Sequence, residues 1–405
     1  MREKIALGFH TCVDFELVWN KLTIENMIRE YHIQNNELNS QTKTDVAIDS
    51  ERTLLLICLK HMKEGTGVEL VPENPRICLD FANRFQYNIT IGGTATRAAI
   101  AISKIGYEST IQMCCFNRYI KELLPKEIHY FSSVGEGHEE VYPHVDLQYQ
   151  AGVCIKANDI DFTTPRENRV LFSRDIDSLN MEISQDFSPM IEKAEVFLLS
   201  CFSEILDFDI LKDRMIRTGN LLGTLPENAL VVMEDGCYIN KDFRYYVHKA
   251  LRDVVNVLSM NEDELQDYIG HKIDILNPDE VLKAVESVYE KAGIPLLLVH
   301  SASWALAYGQ ETAWIRNALE GGITMAATRF WFGDDFGPKE YQKVKELPGK
   351  AKSIEFCASI EQKGGRSICC LPSKDLKFVE NPTVVGLGDF FAGGLLPELL
   401  IERRR

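Results

Sequence analysis

Across the C-terminal two-thirds of the chain, apolar positions gather in short β-branched and leucine-rich runs separated by amphipathic stretches. That is the pattern of parallel strands buried on both faces of a sheet and covered by helices. Val196–Leu199 and residues 230–233, 254–258 and 296–299 read as buried strands. Val281, Leu282, Val285, Val288 and Tyr289 recur at one-turn spacing, so the pattern predicts a helix over Pro278–Ala292, closed by Gly293-Ile294-Pro295. With its flanking strands this helix makes a β-α-β unit. The N-terminal part has a different texture. A strand at Ile5–Phe9 is followed by a polar loop over 34–50, a helix over 51–62 and a break at Gly65-Thr66-Gly67. Alternating runs at 145–149 and Asn168–Phe172 predict half-exposed antiparallel strands. Residues 15–85 and 139–178 are therefore expected to form one small discontinuous domain, set into a large α/β domain made of 1–14, 86–138 and 179–405. No internal repeat or low-complexity tract is visible.

A length of 405 residues accommodates two or three structural units. The 44 Lys and Arg against 60 Asp and Glu leave a formal charge of −16. That balance disfavours nucleic acid and anionic lipid as partners, and a phosphorylated small ligand would have to be met locally by magnesium, backbone amides or a few placed cations. The 11 Cys include no C-x-x-C pair and several lie in apolar runs, which predicts reduced, mostly buried thiols. The N-terminus lacks a signal-peptide stretch, and no uncharged apolar run reaches 18 residues, so a cytoplasmic protein is expected. Arg403 to Arg405 read as a solvated helix end.

Four motifs could carry chemistry. In Val384-Val385-Gly386-Leu387-Gly388-Asp389, an apolar lead enters a glycine turn and then a helix. Such a turn can aim successive amides into one cavity, with Asp389 placed to take a proton from a hydroxyl, although an Asp-capped helix start has the same sequence. Asn261 and Glu264 lie one helical turn apart after a strand and could order magnesium-bound water, or simply form a capping box. Gly92-Gly93 opens a small-residue helix and permits close approach to a ligand or to a neighbouring element. Asp14 follows the first strand, where open α/β sheets place ligand contacts.

In this order the set resembles the ribokinase-like sugar kinases and, within them, the ADP-dependent glucokinase and phosphofructokinase family. Finer matches are residues 59–69, 165–169, Val299-His300-Ser301-Ala302-Ser303-Trp304-Ala305-Leu306 and Ala326-Ala327-Thr328-Arg329. The resemblance implies a three-layer α/β/α core with a small β-rich lid, the sugar lying between them. It implies Asp389 as base, an anion hole at Gly386, Leu387 and Gly388, and Mg2+ served by Glu234, Asn261 and Glu264. Sugar hydroxyls would be held by Asp14, Glu69, Gly92 and Gly93, with Arg169 facing the substrate from the lid. His300, Ser301, Trp304 and Val385 would border the nucleotide. ADP is the implied donor, and glucose, fructose 6-phosphate or a related sugar the acceptor. Two departures stand out: Val232 replaces the His of the family's H-x-E triplet, and Thr94-Ala95-Thr96-Arg97 follows the glycine pair. The alternatives are an ATP-dependent carbohydrate or nucleoside kinase of the same fold, or a non-catalytic sugar or nucleotide sensor.

Other groupings read more simply. His138, Glu139, Glu140 and His144 have no metal-site spacing and predict a solvated acidic loop. Cys114-Cys115 and Cys369-Cys370 predict core packing. Trp304 and Trp331 could stack on adenine or pack in the core.

Overall fold

The computed structural model describes residues 4–39, 47–135, 137–380 and 382–402. Among them, nine strands form the large sheet in the spatial order Ile368–Pro372, Trp304–Gly309, Leu296–His300, Val257–Asn261, Leu230–Glu234, Val196–Leu199, Ile5–Phe9, Ser109–Met113 and Ile128–Ser132. All run parallel except Trp304–Gly309, which is antiparallel to both neighbours. Side chains alternate across this sheet and separate two apolar cores. Ile5, Leu7, Val196, Leu198 and Val232 face one; Ala6, Phe9, Phe197, Leu199 and Met233 face the other. Helices Thr94–Lys104, Arg316–Phe332 and Leu387–Glu402 bring Ala98, Leu319 and Leu395 to the first core. Helices Phe208–Leu222, Lys241–Leu251, Pro278–Ala292 and Ala351–Gly364 bring Leu211, Val247, Val285 and Ile360 to the second. This is the three-layer α/β/α core the sequence predicts.

The second sheet has the order Val68–Leu70, Asn168–Phe172, His144–Tyr149, Cys12–Leu17, Tyr87–Gly92. Two of its strands, Cys12–Leu17 and Tyr87–Gly92, run past the residue-14 and residue-86 limits read from the sequence. Its alternation is strict. Val13, Phe15, Val145, Leu147, Val170 and Phe172 are buried in the first core. Asp14 pairs with His144 and Thr90, and Glu16 with Asp146 and Asn88, so the opposite face is polar.

Two elements differ from expectation. The strand expected at 254–258 is Val257–Asn261, because Val254 lies in the turn after Lys241–Leu251 and is exposed. The expected loop over 34–50 holds a short helix, Asn35–Asn39, and residues 40–46 of it lie outside the described residues, as do Arg403 to Arg405. Among the described residues no helix is long and apolar enough to cross a membrane.

Helix Leu387–Glu402 is gripped from two sides through glycines. A Cβ on Gly394 would lie 2.3 Å from the Gly321 carbonyl oxygen, and one on Gly321 would lie 2.5 Å from that of Gly394. On the other side, a Cβ on Gly393 would meet Ala101 Cβ at 2.5 Å and the Ala98 carbonyl at 2.8 Å. Backbone cannot swing aside as a long side chain can, so Gly394→Ala is expected to lower stability by at least about 2 kcal/mol in urea unfolding.

Asp146 gives the fold a pH dependence. Burial, reinforced by Asp14 and Glu16 and opposed by Arg169, pushes its carboxyl from 3.8 up to about 6. Between these values the unfolded chain has released the proton and the folded chain has not, so stability falls as pH rises through this window. Asp146→Asn stays neutral and should raise stability at pH 8 by on the order of 2–3 kcal/mol, with little effect at pH 3.5, in thermal melts at the two pH values.

Candidate active site

Two helix N-termini converge where the large sheet meets the small one. Gly386 takes a left-handed φ of 70° at the turn into Leu387–Glu402, and Gly93 takes φ 88° at the turn into Thr94–Lys104. A Cβ on Gly93 would fall 2.5 Å from the His10 carbonyl oxygen, so the second turn also needs glycine to close on the first strand crossover. The first turn of each helix leaves amides without intrahelical partners, which aims those of Leu387, Gly388 and Asp389 outward. Thr94 Oγ1 donates to Asp389 Oδ1 at 2.7 Å.

Arg97 joins the two turns to the small sheet. Its Nη2 donates to Asp14 Oδ2 at 2.5 Å, its Nε donates to the Ile91 carbonyl at 3.1 Å, and its Nη1 lies 3.7 Å from Asp389 Oδ2. Burial opposes the charge, but Asp14 and then Asp389 outweigh it and keep the guanidinium protonated. Gly92 is small because the Asp14 carboxylate fills its side-chain space: a Cβ there would meet Asp14 Oδ1 at 2.3 Å. Gly386 is small for a matching reason, since its Cβ would meet Arg97 Nη1 at 2.4 Å.

Beyond Gly388 lies an acidic cluster. His300 Nε2 donates to Glu234 Oε1 at 2.9 Å, its ring stacks on Phe391 with centroids 4.6 Å apart, and its Cε1 stands 3.4 Å from where a Gly388 Cβ would be. Val232, at the departed His position, is wholly buried in the core. His300 from the strand two places away thus supplies an imidazole to Glu234. Asn261 and Glu264 form a full capping box: Asn261 Oδ1 accepts from the amides of Asp263 and Glu264, and Glu264 Oε2 accepts from the amide of Asn261. Burial, then Asp235 and Glu234, push the Glu264 carboxyl up to about 8. Glu234 Oε2 is buried without a hydrogen-bond partner among the described residues. Crowded carboxyls with an unpartnered oxygen fit a divalent cation of the magnesium class, whereas the Asn261 carbonyl is already used by its helix.

The remaining sequence-read residues separate. Trp304 is fully buried, donates from Nε1 to the Ile275 carbonyl at 2.7 Å and stacks on Phe356, so its ring is core and cannot meet a nucleotide. Ser301 Oγ is taken up by its own turn, donating to the Trp304 carbonyl and accepting from the Ser303 and Trp304 amides. Val385 is buried, with its carbonyl accepting from Arg329 Nε at 2.9 Å. Trp331 stacks on Phe332 and meets Phe378 edge-on. Glu69 and Arg169 pair at 3.3 Å on the polar face of the small sheet. They border a cavity of about 940 Å³, together with Arg166, Arg174, Glu204 and Lys272. Asp389 is not among the residues that line that cavity. His138 and His144 partner Asp177 and Asp175 respectively and do not form one site with each other.

A family model described as the ADP-specific phosphofructokinase/glucokinase conserved region matches residues 3–391. The chain belongs to this family. It is accordingly an ADP-dependent sugar kinase, a phosphotransferase with an alcohol acceptor. A search of curated protein sequences returns no match. Among solved structures, a phosphofructokinase from Pyrococcus horikoshii OT3 with AMP is similar at TM-score 0.77 and 16% identity, over 100% of this chain and 99% of that one. A hypothetical ADP-dependent phosphofructokinase from the same organism is similar at TM-score 0.78 and 17% identity, over the same shares. An ADP-dependent kinase in complex with fructose-6-phosphate and ADPβS is similar at TM-score 0.74 and 14% identity, over 100% of this chain and 95% of that one. At these identities the likeness establishes the fold.

Arg97 and His300 tie distant parts of the site together, and neither interaction is encoded in local sequence. Arg97 stood out only as a departure from the family pattern; its link to Asp14 spans a separation of 83 residues. The link from His300 to Glu234 spans a separation of 66 residues. Arg97→Met keeps the aliphatic stem but leaves the Asp14 carboxylate buried without its cation. The expected cost is about 3–5 kcal/mol in equilibrium unfolding, relieved by the added change Asp14→Asn.

Proposed function

We propose that this kinase transfers the β-phosphoryl of ADP to a hydroxyl of a sugar phosphate, releasing AMP. The observation that carries the reading is the position of Asp389 at the first turn of Leu387–Glu402, held by Thr94 Oγ1 beside the amides of the Gly386 turn. From there its carboxylate accepts the acceptor's hydroxyl proton as the oxygen attacks, a contribution of roughly 10² to 10⁴ in rate. The amides of Leu387 and Gly388, with Gly386 leaving the turn open, receive the negative charge of the transferring group. Mg2+ at Glu234 and Glu264, beside Asn261, would supply neutralising charge for the nucleotide phosphates. His300 orients Glu234.

The acceptor occupies the space between the small sheet and Asp389, with Asp14, Gly92 and Gly93 at its inner end and Glu69 and Arg169 on the outer sheet face. Arg169 is neutralised by Glu69, whereas Arg166 and Arg174 line the same cavity with no carboxylate partner among the described residues. Two guanidinium groups free of ion pairs among the described residues, in a cavity that Glu167, Asp175, Glu204 and Asp263 also line, favour an acceptor that carries a phosphate, such as fructose 6-phosphate, over glucose. In this reading residues 15–85 and 139–178 act as a lid that excludes water from the donor, and the backbone around His300, Ser301 and Val385 borders the nucleotide.

The test is a matrix of fructose 6-phosphate and glucose against ADP and ATP, with AMP formation followed directly. Fructose 6-phosphate with ADP should give the highest kcat/KM, at least about tenfold above the same sugar with ATP, a difference of about 1.4 kcal/mol in barrier. Asp389→Asn should abolish transfer while nucleotide binding changes by no more than a few fold. Glucose exceeding fructose 6-phosphate would overturn the choice of acceptor, and near-normal turnover by Asp389→Asn would overturn the base.

A further inference from the structure

A group of metal-ligating side chains lies away from the acidic cluster, where the chain passes between the two sheets. His10 and Cys12 flank the step from strand Ile5–Phe9 of the large sheet to strand Cys12–Leu17 of the small one. His144 opens the adjacent strand His144–Tyr149, its backbone opposite Asp14. One ring nitrogen of each histidine and the Cys12 sulfur all lie within 4.8 Å of one another. The three residues are buried, at 4%, 2% and 5% exposure for His10, Cys12 and His144.

The surroundings orient this group toward a ligand. Ser178 Oγ donates to Asp175 Oδ2 at 2.6 Å and therefore accepts from His10 Nε2 at 2.9 Å. That chain puts the His10 proton on Nε2 and leaves a lone pair on Nδ1, which is buried without a hydrogen-bond partner among the described residues. A carboxylate acting through an intermediate donor on the far nitrogen of a ligating imidazole is the usual outer arrangement of a metal site. His144 Nε2 lies 3.3 Å from the same Asp175 carboxylate, and Asp14 Oδ1 lies 3.3 Å from Cys12 Sγ. The group is thus enclosed by acids, with Arg97 as the opposing charge on Asp14.

We propose that His10, Cys12 and His144 form a binding site for one divalent cation of the zinc class, which ties the first crossover between the sheets to strand His144–Tyr149. Two imidazoles and a thiolate suit a borderline-soft ion and not magnesium, with a water completing the fourth position. Bonds of about 2.0–2.3 Å in a tetrahedral set place ligand atoms roughly 3.5 Å apart, so a spacing of up to 4.8 Å closes by at most roughly 1.3 Å on binding. The Cys12 thiol gives up its proton to solvent as the metal–sulfur bond forms, and a proton on His144 is displaced in the same way.

The experiment uses the full chain, reduced and stripped with chelator, titrated anaerobically with Co2+ and then with Zn2+. Expected are one Co2+ per chain, a near-ultraviolet thiolate-to-cobalt charge-transfer band with four-coordinate visible bands, and loss of these bands on adding one Zn2+, but not on adding excess Mg2+. Cys12→Ser should remove the charge-transfer band and weaken Zn2+ binding by at least about 100-fold, while Cys237→Ser, at an exposed thiol, should leave both unchanged. Circular dichroism of the metal-free variants establishes that they fold. If Cys12→Ser does not, His10→Gln, which retains a donor toward Ser178, must weaken Zn2+ binding by at least about tenfold. A missing thiolate band, a band that survives Cys12→Ser, one lost in Cys237→Ser, or Zn2+ affinity unchanged in His10→Gln would each overturn the site.

Discussion

Everything functional in this molecule depends on how closely three helices can approach. Leu387–Glu402 lies between Thr94–Lys104 and Arg316–Phe332 at distances only glycine and alanine permit, with Gly394 against Gly321 and Gly393 against Ala98 and Ala101. Close-packed interiors transmit such constraints without slack. The helix cannot slide, so its first turn is delivered to one place and Asp389 meets Thr94 there. The same registry brings Gly386 against Arg97, and Arg97 carries the constraint into the small sheet through Asp14.

Charge is arranged as economically as volume. The chain carries a formal charge of −16, yet cations are concentrated where carboxylates cannot reach water. Arg97 serves Asp14 and faces Asp389, and Arg244 serves Asp235 and Asp267. Glu234 and Glu264 are less well served, with His300 giving Glu234 a hydrogen bond, and Asp146 is buried beside other acids.

Periodicity made the architecture legible. Strict alternation at 145–149 and Asn168–Phe172 reflects a sheet with one dry and one polar face, and the unbroken runs Val196–Leu199 and Leu296–His300 reflect strands buried on both. Local motifs were legible for the same reason: the Gly386 turn, Gly92-Gly93 and the Asn261 box are each set by a few consecutive residues. The capping box shows the limit of such reading, since one spacing serves both a helix end and a metal. The family resemblance implies that Trp304 borders the nucleotide, but alternation along Trp304–Gly309 turns its ring to the core. Arg97 with Asp14, and His10 with Cys12 and His144, are products of strand crossovers, which no local pattern encodes.

The burial of Leu387–Glu402 has a consequence for what activity reports. Ala98, Ala101 and Gly321 form the seat of this helix, and its Phe391, Leu395 and Leu399 complete one of the two apolar cores. The same helix carries Asp389, the base in the mechanism proposed above. A molecule in which it has not docked therefore lacks both a finished core and a finished reaction centre, so turnover is a direct count of fully assembled chains, and partially assembled ones contribute silence to any assay.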